Sequence, residues 1–327
     1  MRKFTWFTLM LAMLMLVSSG VYAAAGDPRT IEGGTGTNST VAGVANTASG
    51  EYSNAFGFRN NANGYEGITV GVKNIASGTN SSAFGSYNGA VNAWSTAIGY
   101  YNNWDYETNS ALDECGESST AVGINNWALG ANSSAIGYYN ATYDSDALAV
   151  GSNNMAVKNA AAVGYWNAAF GDNSTSLGYS NNIGLDSTLM PDLSLTYSSG
   201  VNSTAVGYNN TATGTNSVAM GYKNFSDGSN STAVGNANKA FGLKDSALGI
   251  ANTTSGEGSS AVGYSNIASD NYSNAFGRLN EASGEGSSAF GYSNTASKYA
   301  NAFGRLNEAS GEGSSAFGYN NITSAAS

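Results

Sequence analysis

The sequence contains no histidine, a single cysteine, Cys115, and only 2 prolines among its 327 residues. One cysteine excludes a disulfide framework within the chain. Its thiol is either incidental, in a loop, or the site of an intermolecular bridge. Charged residues are also scarce, at 10% of the chain, against roughly 25% in an ordinary globular domain. Scarce charge together with 43 glycines could mean disorder, but 41% of the residues are apolar, so the chain has material to bury.

The missing histidine excludes Ser-His-Asp and Cys-His catalysis as well as histidine-ligated metal sites. Paired carboxylates remain the one route to an enzyme, of the polysaccharide-cleaving kind. An acidic cluster in the irregular stretch 100–122 could serve that purpose or bind calcium: Asp105, Glu107, Asp113, Glu114 and Glu117. No EF-hand or GGxGxD repeat accompanies it. We therefore interpret the cluster as a solvated loop and predict a protein that is not an enzyme and binds no metal or cofactor.

Residues 1–23 have the features of a secretory signal peptide. Two basic residues precede an apolar core from Leu9 to Val17, and small residues end the segment at Ala23, where we expect cleavage. The apolar core is too short for a convincing membrane span, although an uncleaved anchor is the alternative. We predict a secreted or cell-surface protein with no direct membrane insertion, in which residues 24–38 form a lead-in.

Beyond residue 23 the chain carries 22 acidic and 10 basic residues, a net charge of −12. An acidic surface repels the phosphates of nucleic acids and the headgroups of anionic lipids. We therefore expect neither nucleic acid nor an anionic membrane surface as a partner.

A glycine, usually preceded by alanine and a large apolar residue, recurs through residues 39–327. Most steps are 14 residues and two are 13. We call these the column glycines: Gly43, Gly57, Gly71, Gly85, Gly99, Gly123, Gly137, Gly151, Gly164, Gly178, Gly207, Gly221, Gly235, Gly249, Gly263, Gly277, Gly291, Gly304 and Gly318. Longer steps mark irregular insertions at about 100–122 and 182–204. We expect each insertion to hide one degraded unit, Asn109–Asp113 in the first and Asp186–Pro191 in the second.

Two further columns follow the glycines. Asparagine stands three residues after every column glycine, from Asn46 to Asn321. Seven residues after most of them stands Gly, Asn or Asp, as at Gly50, Asn92 and Asp144. These residues tolerate positive φ, so we place a tight turn and its positive φ at that point.

The two segments of about five residues between turns alternate in the way of β-strands. Strands this short are stable only when stacked, so the pattern predicts an all-β fold, a single-stranded parallel β-roll or solenoid of about twenty 14-residue coils. The asparagines would form a ladder in which each carboxamide bonds to its neighbours and to turn backbone. At ~4.8 Å per layer the rod would be about 95 Å long.

The large apolar residues before the column glycines, from Phe56 to Phe317, form what we call the apolar column. A 14-residue coil is narrow and suits Ala, Ser and Gly inside, so this column would lie outside a lone coil. Such a surface exceeds what monomers usually expose, and we predict a homo-oligomer that buries it. The alternative is an apolar column inside the coil, which would permit a monomer. The tyrosines that often follow the column glycine, such as Tyr100 and Tyr222, are either interface packing or an exposed stripe.

The unit Asn-Ser-x-Ala-Φ-Gly-x-x-Asn-x-Ala-Ser-Gly, where Φ is the large apolar residue, resembles the head repeats of YadA-like trimeric autotransporter adhesins over roughly residues 39–327. The resemblance implies a left-handed parallel β-roll and a homotrimer. Residues 216–221 are the closest copy of that family's collagen-binding sequence, followed by residues 132–137. The candidate ligand contacts are therefore Asn216, Ser217, Val218, Ala219, Met220 and Gly221.

The resemblance also implies an adhesin head that attaches to an extracellular matrix protein such as collagen, to cell-surface glycans, to host cells or to other bacteria. A structural surface-coat or fibre protein without a specific ligand is the main alternative, and an ice-binding or carbohydrate-binding solenoid is a remote one. Adhesins of this family continue into a neck, a coiled-coil stalk and a membrane anchor, whereas no sustained heptads occur here. We expect either a piece of a longer adhesin or a released head.

Overall fold

A computed structural model describes residues 31–105, 109–113, 115–183 and 200–324. The predicted signal peptide, residues 1–23, lies outside them. All regular secondary structure in the described ranges is β-strand, and the strands form a parallel solenoid. Each coil consists of a five-residue strand, a turn, a two-residue strand and a second turn. The predicted all-β solenoid is confirmed.

The five-residue strands stack into one continuous sheet, numbered here in chain order with the other strands. They are β2 (Thr40–Val44), β4 (Asn54–Phe58), β6 (Ile68–Val72), β8 (Ser82–Ser86), β10 (Thr96–Tyr100), β13 (Thr120–Ile124), β15 (Ser134–Tyr138), β17 (Leu148–Ser152), β19 (Ala161–Tyr165), β21 (Thr175–Tyr179), β23 (Thr204–Tyr208), β25 (Val218–Tyr222), β27 (Thr232–Asn236), β29 (Ser246–Ile250), β31 (Ser260–Tyr264), β33 (Asn274–Arg278), β35 (Ser288–Tyr292), β37 (Asn301–Arg305) and β39 (Ser315–Tyr319).

The two-residue strands stack on the other side of the coil in sheets of 4 and 14 strands. They are β3 (Thr47–Ala48), β5 (Asn61–Ala62), β7 (Ile75–Ala76), β9 (Gly89–Ala90), β14 (Trp127–Ala128), β16 (Ala141–Thr142), β18 (Met155–Ala156), β20 (Ala168–Ala169), β22 (Asn182–Ile183), β24 (Thr211–Ala212), β26 (Phe225–Ser226), β28 (Lys239–Ala240), β30 (Thr253–Thr254), β32 (Ile267–Ala268), β34 (Glu281–Ala282), β36 (Thr295–Ala296), β38 (Glu308–Ala309) and β40 (Ile322–Thr323).

One further strand covers the first coil. β1 (Ile31–Gly33), within the predicted lead-in, pairs antiparallel with β2, so that Ile31 lies opposite Ala42. An uncovered edge strand offers unpaired backbone groups to other chains. The antiparallel strand removes that edge from the start of the stack.

At both insertions the five-residue strands on either side pair directly with each other. β10 pairs directly with β13, placing Thr96 opposite Thr120, and β21 pairs directly with β23. The segment Asn109–Asp113 instead contributes β12 (Ser110–Ala111), which pairs antiparallel with β11 (Trp104–Asp105) and places Ala111, which is buried, beside Gly89 of the preceding coil. Residues 186–191 lie outside the described ranges. The stack therefore has 19 coils, which corresponds to about 90 Å at ~4.8 Å per layer.

The interior of the coil holds small side chains. Two alanine columns, represented by Ala55 and Ala62, are fully buried, and so is a serine column that includes Ser53. The apolar column lies on the outer face of the five-residue strands, where Phe56 is half-exposed. The alternative with the apolar column inside is therefore wrong.

The column glycines themselves adopt a backbone conformation that other residues rarely reach. Gly235 has φ +123, and a Cβ there would collide with the carbonyl oxygen of Gly249 in the next coil. This conformation turns the chain sharply at the end of each five-residue strand, which explains why glycine recurs at that position.

The positive φ expected seven residues after the column glycine lies elsewhere. The turn is present, since the Ser53 amide donates to the Gly50 carbonyl at 3.2 Å. However, the left-handed residue is Tyr52, at φ 58, two positions later than predicted. Gly50 is small for another reason, because a Cβ would collide with the backbone of Gly64 in the next coil. A second left-handed column lies two residues after the column glycine, as at Arg59 with φ 54.

The asparagine column forms an unbroken ladder inside the first turn. The Asn238 Nδ2 donates to the Asn224 Oδ1 at 3.0 Å and to the Val234 carbonyl at 2.9 Å. It also approaches the Gly249 carbonyl at 2.7 Å. The Asn238 Oδ1 accepts from the amide and Nδ2 of Asn252, both at 3.0 Å. The same pattern continues across both insertions, so the predicted structural role of these asparagines is confirmed.

Replacing one ladder asparagine should destabilise the stack strongly. Asn238→Ala leaves the carbonyls of Val234 and Gly249 and the amide of Asn252 without their side-chain partners. At about 1–3 kcal/mol per unsatisfied buried group, we expect a loss of roughly 3–5 kcal/mol in the free energy of unfolding. Urea denaturation followed by circular dichroism measures it.

The matched control is Asn236→Ala, an exposed asparagine two residues earlier in the same coil. We expect a change within about 0.5 kcal/mol, as for most surface substitutions. Equal effects of the two substitutions would contradict the ladder's role.

Candidate binding surface

The described coils offer four surfaces, namely the outer faces of the two sheet layers and the two rows of turns. The first row contains the two residues that follow each column glycine, namely the last residue of the five-residue strand and the first residue of the turn after it, and we call it the tyrosine edge. The second contains the two central residues of the opposite turn, such as Glu51 and Tyr52, and we call it the acidic edge. Both rows run the length of the solenoid, because every coil contributes the same positions.

The apolar column forms a stripe along the five-residue strands. In the last four coils it consists of stacked phenylalanine rings. Their centroids are 4.8 Å apart between Phe276 and Phe290, 4.9 Å between Phe290 and Phe303, and 5.2 Å between Phe303 and Phe317. Apart from Phe56 and Phe84, the earlier coils place valine, isoleucine, leucine or methionine there, and several of these side chains are exposed, including Ile98 and Met220. A continuous apolar stripe of this kind marks an interaction surface.

Tyrosines dominate the adjoining edge in the middle of the stack. Tyr165, Tyr179, Tyr208 and Tyr222 lie face to face, with ring centroids 4.8–5.2 Å apart. All four are exposed in the single chain. Their faces cover one another, so they present ring edges and hydroxyl groups outward.

Charge is divided unequally between the two edges. The tyrosine edge carries five basic residues and no acidic one: Arg59, Lys73, Lys223, Arg278 and Arg305. The acidic edge carries eight acidic residues against three basic ones: Glu51, Glu66, Glu117, Asp146, Asp172, Glu257, Glu285 and Glu312 against Lys158, Lys244 and Lys298. This segregation was not predicted from the sequence, although it could have been found there from the number of residues between each charged residue and the column glycine before it.

Ion pairs between described residues lie on the acidic edge. Lys244 Nζ is 3.9 Å from a Glu257 oxygen, and Lys298 Nζ is 3.3 Å from a Glu312 oxygen. The hydrogen bond to Glu312 raises the pKa of Lys298, and a hydrogen bond to Glu285 raises the pKa of Tyr299. These groups are exposed, so such pairs contribute little to stability.

The six candidate ligand residues divide between the interior and the surface. Ser217 and Ala219 are fully buried, so a ligand cannot reach their side chains. Asn216 lies on the acidic edge in the left-handed conformation, with its Nδ2 3.1 Å from the Asn230 Oδ1. Val218 is half-exposed and Met220 is 41% exposed, as part of the apolar column. Gly221 is a column glycine with φ +119.

Cys115 lies in the interior, four residues after the end of β12. Its sulfur accepts from the Val91 amide at 3.4 Å, and its carbonyl accepts from the Asn92 side chain. Burial raises the pKa of the thiol. Cys115 belongs to the irregular segment between β12 and β13, as predicted, but it is fully buried, so an intermolecular disulfide would require the coil to open.

The acidic cluster of the first insertion is only partly described. Asp105, Asp113 and Glu117 are within the described ranges, whereas Glu107 and Glu114 lie outside them. No group of three or more His, Cys, Asp or Glu among the described residues could hold a metal ion. In β11, Trp104 is buried against Tyr87, with ring centroids 5.5 Å apart.

One buried carboxylate was not anticipated from the sequence. Asp245 occupies a place in the serine column and is almost completely buried. Its Oδ2 accepts from the Gly242 amide at 2.8 Å, and its Oδ1 accepts from the amide and hydroxyl of Ser259, both at 2.9 Å. The carboxylate links two coils in the same manner as the asparagines, which is a structural role.

In the ranges that the structure covers, no helix has the length and apolar character needed to cross a membrane.

The sequence profile of one protein family matches well over half of the chain. The family is described as the YadA head domain repeat (2 copies), and the matched residues are 35–60, 62–88, 116–140, 158–181, 198–224, 226–252, 255–279, 282–299 and 302–327. The matches avoid most of the two insertions and include all column glycines except Gly99 and Gly151. No curated protein matches the chain.

Proposed function

The chain belongs to the YadA head-repeat family, and we propose on that basis that it is the adhesive head of a secreted or cell-surface adhesin. The observation that carries the proposal is the unbroken repetition of outward-facing columns over 19 coils. A long repetitive surface binds through many weak contacts that act together. The proposal assigns binding rather than catalysis to the chain.

We further propose that the head is a homotrimer, held by the apolar column. In a single chain this column leaves large side chains in water, including Leu177 and Phe317. Burying apolar surface contributes about 25 cal/mol per Å², and every coil after the first adds one large apolar side chain to the stripe. Further copies of the same chain repeat the same coil spacing, so they match the stripe layer for layer.

Light scattering on the purified chain tests the assembly. We expect a trimer at micromolar concentration, which Leu248→Asp weakens because each subunit would bury a carboxylate in the interface. The control, Thr253→Asp, lies in the same coil on the outer face of the two-residue strands and should leave the mass unchanged. A monomeric wild-type chain would overturn the proposal.

For the ligand, we propose an extracellular matrix protein such as collagen or a cell surface, contacted around residues 216–221. Ser217 and Ala219 are buried, and Met220 belongs to the apolar column that the trimer covers. Asn216 and Val218 therefore remain as the side chains of this segment that a ligand can contact in the assembled head.

Saturable binding to immobilised collagen, fibronectin or bacterial cells tests adhesion. Val218→Asn introduces a residue that occupies the same place at Asn274, so the fold should tolerate it, and we expect weaker collagen binding. Thr232→Asn, one coil later, is the control and should have no effect. If both substitutions weakened collagen binding equally, residues 216–221 would have only the structural role that every coil shares. If the wild-type chain showed no saturable binding to any of these surfaces, a coat or fibre protein would be favoured.

A further inference from the structure

We infer that the tyrosine edge of the last coils binds an acidic polysaccharide, with Arg278 and Arg305 contacting its carboxylate or sulfate groups. The inference deepens the proposed adhesive function and rests on it. The tyrosine edge has no acidic residue, although acidic residues outnumber basic ones in the chain by 22 to 12.

Each basic residue of the tyrosine edge lies over an aromatic ring of the same edge. In the first half of the stack and at its middle, Arg59, Lys73 and Lys223 lie 4.7–5.1 Å from ring centroids. Such cation–π contacts hold a charge in place without neutralising it. The positive groups therefore remain available to an anion.

The last coils have the most regular arrangement. Arg278 Cζ is 5.4 Å from the centroid of Tyr264 and 5.6 Å from that of Tyr292. Arg305 Cζ is 5.5 Å from the centroids of both Tyr292 and Tyr319. Strand register places these five residues in consecutive coils, so tyrosine and arginine alternate along the stack.

This alternation suits recognition of a carboxylate or a sulfate. A guanidinium between two rings has its faces covered and its N–H groups directed sideways, where they can form paired hydrogen bonds to an oxyanion. The rings already restrict the side chain, which lowers the entropy lost on binding. The phenol hydroxyls add donors and acceptors for sugar hydroxyls.

The spacing favours a polysaccharide over a nucleic acid. Arg278 and Arg305 are two coils apart, about 9.6 Å at ~4.8 Å per layer. Each strand of a DNA duplex carries a phosphate every ~3.4 Å along the helix axis, whereas acidic polysaccharides carry charges more sparsely. In addition, base binding needs open aromatic faces, whereas Tyr292, the central ring of this site, lies between the guanidinium groups of Arg278 and Arg305.

Binding of the purified chain to immobilised polysaccharides at physiological salt tests the inference. The probes are hyaluronan, which carries carboxylates only, chondroitin sulfate, which also carries sulfates, and neutral dextran. The test variant is Arg278→Gln/Arg305→Gln. The control is Lys244→Gln/Lys298→Gln, which removes the same charge from the acidic edge.

We expect the wild-type chain to bind one or both acidic polysaccharides saturably and dextran not at all. The arginine variant should bind about tenfold more weakly than the wild type, whereas the affinity of the lysine variant should change less than twofold. Binding to hyaluronan would identify carboxylate as sufficient, and binding to chondroitin sulfate alone would identify sulfate. Equal losses in both variants, equally tight binding to duplex DNA, or a change of oligomeric mass in the arginine variant would overturn the inference. Retained binding to collagen or cells without polysaccharide binding would overturn it while leaving the adhesin proposal intact.

Discussion

The narrowness of a 14-residue coil is the constraint on which the rest of this structure depends. Two strands joined by two tight turns leave room inside for small side chains, mostly Ala and Ser, and for the carboxamide of one ladder asparagine per coil. The largest fully buried side chains are asparagines such as Asn74 and Asn210. Apolar burial in the interior is correspondingly small, so the hydrogen-bonded ladder and the backbone pairing between coils hold the stack together.

The same constraint moves the large side chains outside. Phe, Val, Leu and Tyr cannot enter the coil, so they form columns on its surface at one residue per layer. In an ordinary domain these residues would be the core. Here they become the surface that other molecules meet, which links the geometry of the coil to the proposed assembly and to adhesion. The charges of the two edges are segregated for a related reason, because each position in the repeat faces one direction throughout the stack.

Much of this architecture could be predicted from the sequence, because a repeat reveals its period and its invariant places. The asparagine ladder and the outward apolar column both followed from spacing and side-chain size. The location of positive φ did not, since Gly50 suggested a left-handed turn whereas Tyr52 adopts it. A recurring glycine can reflect a lack of space for a side chain as well as a need for conformational freedom. At Gly50 the backbone of the next coil leaves no space for a Cβ atom.

The insertions were the other failure. Asn109–Asp113 resembles a repeat unit locally, but strand pairing between neighbouring coils decides whether a segment joins the stack. The candidate site was predicted only in part. The candidate segment 216–221 rests on a family resemblance and includes the buried Ser217 and Ala219, although the predicted coil already places serine and alanine inside. The tyrosine edge is visible only after every residue is assigned a place in its coil.

Hydrogen exchange of side-chain carboxamides, followed by NMR, tests the ladder most directly. Asn210, Asn224 and Asn238 belong to the buried ladder, whereas Asn202, Asn216 and Asn230 bond to one another on the exposed acidic edge of neighbouring coils. We predict that the buried carboxamide protons exchange at least about 100-fold more slowly, because exchange requires the stack to open. Equal exchange rates in the two sets would contradict the claim that buried asparagines hold the coils together.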